Sequence, residues 1–172
     1  HDKVLKMLKV IRNISYRVLT KGDYDLDDYS KIIDFIRIYT DKHHHGKEED
    51  ILFDTMNKEI EKLAKSGAIT GMYIEHDLGR MYTANLETAV ESFKEGKDEA
   101  RLDIIANGIC YTDLLERHIN KENTAMYKFA ENMLSDEVKA SIEERCKTVE
   151  DEATDSGVQD KYLEILVQLE ER

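Results

Sequence analysis

Two stretches of the chain decide the fold: His118-Ile119-Asn120-Lys121-Glu122 and, earlier, His44-His45-Gly46-Lys47-Glu48. In each, a glutamate follows a histidine by four residues, so the two side chains share one helix face with Cβ atoms roughly 5–6 Å apart. An imidazole and a carboxylate placed this way can share one metal ion or bridge a pair. His1 and His76, each in its own helical segment, bring the set to four histidines and two glutamates from four helices. The sequence therefore predicts a dinuclear metal site inside a four-helix bundle.

Apolar residues recur at helical spacing along four long segments. The pattern predicts helices over about 1–20, from Asp25 or Asp27 to about 66, over about 69–93 and over about 98–133, with a break at Lys21-Gly22-Asp23. Short loops between long helices favour an all-α, up-down four-helix bundle over 1–134. Two further helices, the first capped by Ser135, should form a C-terminal appendage over 135–172 that packs on the same domain.

Composition restricts the class of protein. A chain of 172 residues fits one domain with a real core, and its net charge of -12 argues against nucleic acid and anionic membrane surfaces as partners. Nothing approaches 18 consecutive apolar residues, so no transmembrane span is expected. Cys110 and Cys146 are too few for a disulfide framework and indicate reduced thiols in a cytoplasmic protein.

The histidines need weighing against an ordinary structural role. A single histidine on an apolar face is more often a core residue, but four of them, two followed by glutamate, favour metal ligands because buried carboxylates cost several kcal/mol unless paired. Imidazole with carboxylate suits iron, manganese or zinc. The register of the second helix stays open at this point. His43 should point to water, and periodicity gives His44 with Glu48 only a modest advantage over His45 with Glu49.

Taken together, these motifs resemble the hemerythrin-like family, also called HHE cation-binding domains. The resemblance covers roughly the first 130 residues and rests on four stretches in order: His1-Asp2-Lys3-Val4, His44 to Phe53, Glu75-His76-Asp77-Leu78-Gly79-Arg80, and His118 to Glu122. It places the second-helix ligands on His44 and Glu48. It also implies a non-haem diiron centre whose cofactor is two iron ions joined by an oxo or hydroxo group.

The resemblance also implies a ligand for each position. One iron would take His1 and His44, the other His76 and His118, and Glu48 and Glu122 would bridge the two. Oxygen-carrying hemerythrins have a further histidine where this chain has Arg80, so the second iron lacks a ligand unless water or another side chain supplies it. His45 is the possible extra ligand, with Tyr73 and Tyr111 as weaker candidates. Arg80 should face either a bound anion or an acidic neighbour such as Glu87 or Glu75.

The function implied by the resemblance is the binding of oxygen or related small molecules, peroxide and nitric oxide, in sensing or stress response. The alternatives are a diiron enzyme that reduces peroxide or nitric oxide, a protein for iron storage or iron-centre repair, and an interaction bundle with vestigial histidines. Whether the protein is an enzyme stays open. The expected partners are a small diatomic ligand or peroxide and a possible redox partner protein, with neither nucleic acid nor a membrane.

Overall fold

The computed structural model describes residues 1–22 and 24–172, and every regular element within them is a helix. The first helix, α1, runs over Asp2–Lys21 and buries its Val4, Leu8, Ile11 and Val18 side chains. It ends where Gly22 takes a left-handed φ of 64° and donates its N–H to the Val18 carbonyl. Asp23, the last residue of the predicted break, lies outside the described residues.

The second helix, α2, runs over residues 26–59 and changes its winding along the way. It is an α-helix over Leu26–Asp34, a π-helix over Phe35–His45 and Glu48–Phe53, and an α-helix again over Asp54–Glu59. The predicted N-cap is confirmed at Asp25, whose side chain accepts a hydrogen bond from the Asp27 N–H at 3.0 Å. A π-helix bonds residue i to i+5, so each turn holds more residues and consecutive side chains are rotated less from one another.

The remaining helices follow in chain order. They are the short α3 (Glu61–Ser66), α4 (Ala68–Lys94), α5 over 100–133, α6 (Asp136–Asp155) and α7 (Val158–Glu170). Within α5, a π-helical turn over Glu122–Met126 separates α-helical Ala100–Lys121 from Tyr127–Met133. Ser135 caps α6 by accepting from the Val138 N–H, as predicted. The all-α fold class, with a His/Glu cluster in the core of a helical bundle, is confirmed. Among the described residues, no helix is both long and apolar enough to cross a membrane.

Two apolar clusters fill the bundle, and the predicted site lies between them. Along α2, the segment from His44 to Glu48 separates Ile36 of one cluster from Phe53 of the other. Along α4, His76 stands between Met72 and Leu86, which again belong to different clusters. The polar side chains of the site thus form one layer between two hydrophobic ends, and this layer is shielded from water along the bundle axis.

The C-terminal helices pack on α2. The Arg145 guanidinium of α6 donates to the Asp50 carbonyl at 2.8 Å, and the Tyr162 hydroxyl of α7 donates to Asp34 at 2.9 Å. Glu150 of α6 pairs with Lys47 and lies 3.2 Å from the ring of His43. The prediction that His43 points to water is therefore wrong, because α6 covers it and leaves its side chain only 10% exposed. The division of the chain at residue 134 stays a prediction.

Candidate metal centre

The helices bring all the predicted ligand residues together in two groups that share Glu48. The three-histidine group consists of His45, Glu48, His76 and His118, and the two-histidine group consists of His1, His44, Glu48 and Glu122. Within each group, one possible ligand atom per residue lies within 4.8 Å of the others. The assignment of these residues as ligands stays a prediction, but their placement is what a pair of adjacent cations requires.

Glu48 faces both groups with separate oxygens. Its Oε1 lies 3.7 Å from His1 Nε2 and 3.6 Å from His44 Nε2, on the side of the two-histidine group. Its Oε2 lies 3.7 Å from His76 Nε2, on the side of the three-histidine group. A carboxylate divided in this way can bridge two ions.

Glu122 repeats this arrangement from the opposite helix. Its Oε2 lies 3.1 Å from His1 Nε2, and its Oε1 lies 3.1 Å from His118 Nε2. The side chain is fully buried. The predicted i, i+4 pairing of His118 with Glu122 is thus present, and the bridging role expected for both glutamates is geometrically open to each.

His45, the possible extra ligand, lies in the three-histidine group, and its role as a ligand stays a prediction. It is buried, and its ring stacks on that of His76 with centroids 3.9 Å apart and planes within 8°. The π-helical winding of Phe35–His45 explains why His45 and its neighbour His44 both face the site, because consecutive side chains are less rotated there. Tyr73 instead donates to the Glu49 carbonyl, so it belongs to neither group.

Polar side chains hold the rings from behind. The outward Nδ1 atoms have these partners: Asn123 Oδ1 at 2.8 Å for His1, Asp41 Oδ1 at 3.3 Å for His45, Glu49 Oε1 at 2.7 Å for His76 and Glu75 Oε2 at 2.9 Å for His118. Such contacts fix the orientation of a ligating ring and raise its basicity. Carboxylates therefore accept from the rings of the three-histidine group, whereas an amide oxygen accepts from His1. The imidazoles of the three-histidine group are thus the more electron-rich ligands.

Arg80 pairs with acidic neighbours, as one of its two expected roles required, but not with the residues that were named. Its guanidinium donates hydrogen bonds to three carboxylates. The Nε atom donates to Asp41 at 2.9 Å, and the terminal nitrogens donate to Glu49 at 2.7 Å and to Asp77 at 2.9 Å. The prediction of an outward contact to Glu87 or Glu75 is wrong, because the carboxylates behind His45 and His76 are closer. Arg80 therefore neutralises and aligns two of the three groups that orient the three-histidine rings.

The protonation of the metal-free centre follows from its burial and charge. Burial lowers the pKa of His76 to about 4 and that of His44 to about 2, so both rings are neutral and able to ligate. Burial also opposes protonation of His1, but the carboxylates of Glu122 and Glu48, at 3.1 and 3.7 Å from its Nε2, outweigh burial and raise its pKa to about 10. The pKa of Glu122 lies well below its usual range because His1 and His118 overcome the effect of burial.

The chemistry of the donor set fits a pair of cations. Four buried atoms have no hydrogen-bond partner of normal geometry: both carboxylate oxygens of Glu122, Oε2 of Glu48 and Nε2 of His44. Leaving a buried polar atom unpaired costs about 1–3 kcal/mol, and more if it is charged. All four are lone-pair donors at the centre of the two groups, so metal ions would satisfy them together. Imidazole and carboxylate are ligands that iron, manganese and zinc accept.

Several residues around the site escaped the sequence analysis. Tyr127 donates its hydroxyl to Glu48, lies 3.2 Å from His1 Nε2 and stacks its ring on His1. It follows Glu122 by five residues, a spacing that shares a face only in a π-helical turn. Asp41 was detectable in principle, because it precedes His45 by four residues and a helix brings the two together.

The structure makes the role of Arg80 testable. We expect Arg80→Gln to weaken metal binding at the three-histidine group by about 10- to 100-fold, because Asp41 and Glu49 lose the cation that aligns them. The measurement is ferrous iron affinity by anaerobic competition with a chromophoric chelator. Arg37→Gln is the matched control, since Arg37 pairs bidentately with Glu87 and does not contact a histidine of the site. Equal affinities in the two variants would refute this role.

Comparison with known proteins adds the family. The hemerythrin HHE cation-binding domain matches residues 1–130. Searches of curated proteins and of solved structures gave no match. The matched range contains every residue of the two groups and most of the chain. With the buried His/Glu cluster, this match shows that the chain belongs to the hemerythrin HHE cation-binding domain family.

Proposed function

We propose that this protein holds two iron ions and binds dioxygen or a related small molecule, peroxide or nitric oxide, in sensing or stress response. The observation that carries the proposal is that Glu48 and Glu122 each direct one oxygen to each histidine group. Two-metal sites hold their ions roughly 3.5–4 Å apart, a spacing that one bridging carboxylate on each side can span. Bound iron would supply redox activity and exchangeable positions for a small ligand.

The protein's own side chains would set the properties of the site. The two apolar clusters exclude water from above and below the layer, and the residues behind the rings fix their orientation. Arg80, which is fully engaged by carboxylates, supplies no free positive charge for an anionic ligand. These features support an uncharged ligand more than an anion.

A second candidate function is the reduction of peroxide or nitric oxide at the same centre. The observation that favours it is Tyr127, whose hydroxyl donates a hydrogen bond to Glu48 at the edge of the two-histidine group. Reduction of peroxide to water consumes protons as well as electrons, and Tyr127 is placed to relay a proton to a reacting oxygen. An external redox partner protein would then have to return the electrons.

The test of the proposal is the metal content of protein purified from iron-replete medium, together with its optical spectrum before and after exposure to air. We expect about two iron ions per chain and a spectrum that changes with oxygen. Protein that carries zinc or manganese and stays unchanged in air would refute the choice of iron. Protein without any metal would favour the interaction bundle. Repeated turnover of peroxide with a reductant would favour the enzyme.

A further inference from the structure

The most exposed apolar side chains of the protein lie where α1 packs against α5. Among the described residues, the three most exposed large hydrophobic side chains are Leu19 at 69%, Tyr16 at 68% and Leu102 at 62%. Leu19 and Tyr16 line a groove of about 300 Å³ whose other apolar walls are Ile105 and Ile109 of α5. Leu102 precedes Ile105 by three residues, so it lies one turn away on the same side of that helix. We call these five residues the apolar centre, and a cluster of this kind marks a protein interaction site.

The contacts between α1 and α5 show which of their residues lie at the same height in the bundle. The Arg12 guanidinium donates to the Thr112 hydroxyl at 3.4 Å. One turn later in α1, the Ser15 hydroxyl lies against Gly108, where an added Cβ would be only 3.4 Å from it. The two helices therefore run antiparallel. Arg12 is at the height of Asp113, and the apolar centre begins one turn closer to the C-terminus of α1.

Charged side chains lie at both ends of the apolar centre. α1 contributes six Lys or Arg residues and one Asp to a chain whose net charge is -12. Within the described part of the chain, Arg12 pairs with no carboxylate, and Asp113 of α5 pairs with Arg117 of its own helix. At the other end, Lys21 of α1 and Asp103 of α5 are exposed at similar heights. At both heights the basic group thus comes from α1 and the acidic group from α5.

The outermost side chains of α5 are small where those of α1 are large. At the height of the apolar centre, the exposed residues along the outer line of α5 are Ala106 and Cys110. Tyr16 is exposed on α1 at nearly the same height, since the preceding residue, Ser15, lies against Gly108. A large side chain from one surface of this kind can therefore lie on the small side chains of another.

A twofold axis parallel to the helices makes this surface complementary to itself. The apolar centre and the four charged residues Arg12, Lys21, Asp103 and Asp113 form what we call the α1/α5 face. Rotation about an axis between the two helices places α1 of one copy on α5 of the other at the same height. Each basic residue then faces an acidic residue of the second copy, and the two apolar centres meet. An apolar core inside a charged rim is the usual composition of a protein interface.

We propose that the protein forms a twofold-symmetric homodimer through the α1/α5 face. Charge selects a second copy as the occupant. A partner with a purely acidic surface would match Arg12 and Lys21 but would oppose Asp103 and Asp113, whereas a second copy satisfies all four. This inference is independent of the proposed function, because no residue of the two histidine groups belongs to the face.

Sedimentation velocity of the full chain, over a range of micromolar concentrations, measures the oligomeric state. We expect twice the mass of one chain, and we expect Leu19→Glu to give one chain because it places charge in the apolar centre. Ile74→Glu is the matched control, since Ile74 is 55% exposed but lies on α4, outside the face. A monomer at every concentration would overturn the proposal and leave the face to a different protein. A dimer that persists in Leu19→Glu would also overturn it, by placing the interface elsewhere.

Charge reversal tests the symmetry axis. In Arg12→Asp and in Asp113→Arg, like charges face each other at two places in the dimer, so we expect the Kd of each variant to rise about tenfold or more. An equimolar mixture of the two variants restores opposite charges at both places, because each copy supplies the sign that the other lacks. We therefore expect the mixture to dimerise about as tightly as the unmodified protein. A mixture that stays as weak as the separate variants would overturn the proposed interface.

Discussion

Replacing Glu122 with alanine should reduce the metal content below one ion per chain. Glu122 is the fully buried carboxylate that faces His1 with one oxygen and His118 with the other, so its loss removes a ligand from both positions and a bridge between them. Two cations brought together without that negative charge would repel each other in an apolar core. The measurement is iron per chain after anaerobic loading and desalting.

The same variant should lose the stabilisation that metal binding gives. A ligand at 100 times its Kd stabilises the folded state by about 2.7 kcal/mol, which corresponds to about 5–10 °C in Tm for a chain of this size. We therefore expect added ferrous iron to raise the Tm of the unmodified protein and to leave that of Glu122→Ala nearly unchanged. Glu116→Ala, on the exposed face of the same helix, is the control. Two irons per chain in Glu122→Ala would exclude a bridging role.

Much of the fold could be predicted because most of its helices have regular α-helical geometry, which produces a periodic pattern of apolar residues. The stripe in α1 and the caps at Asp25 and Ser135 match the structure because apolar spacing and capping chemistry act locally. The burial of His76 and His118 also follows from the sequence, since each lies on the apolar face of a regular α-helix. The family resemblance added the order in which the ligands pair.

The errors and gaps arise from contacts that periodicity cannot show. His43 is covered by α6, a helix more than ninety residues later, so no local pattern could indicate its burial. Arg80 finds Asp41 and Glu49 on α2, which depends on how two helices are rotated against each other. The π-helical segment of α2 cannot be recognised from a pattern that assumes α-helical turns. This π-helical geometry allows two consecutive histidines, His44 and His45, to face the same centre.

Replacing His45 with alanine tests whether this second of two consecutive histidines is a metal ligand. We expect the variant to lose about one ion per chain, the ion of the three-histidine group, because only two histidines and the two bridging glutamates would remain there. His43→Ala, a change at a histidine of the same helix that belongs to neither group, should keep both ions. His44→Ala should lose the other ion, from the two-histidine group.

Imidazole added to the buffer distinguishes a missing ligand from a disturbed fold. His45 and Tyr111 line the same cavity of the bundle. Removal of the His45 ring therefore leaves a space that a free imidazole can reach. The second ion should then return in His45→Ala. A misfolded variant would not recover in this way. Two ions per chain in His45→Ala without imidazole would show that the stacked ring beside His76 is a packing residue. The three-histidine group would then hold its ion with the two histidines that the family pattern supplies.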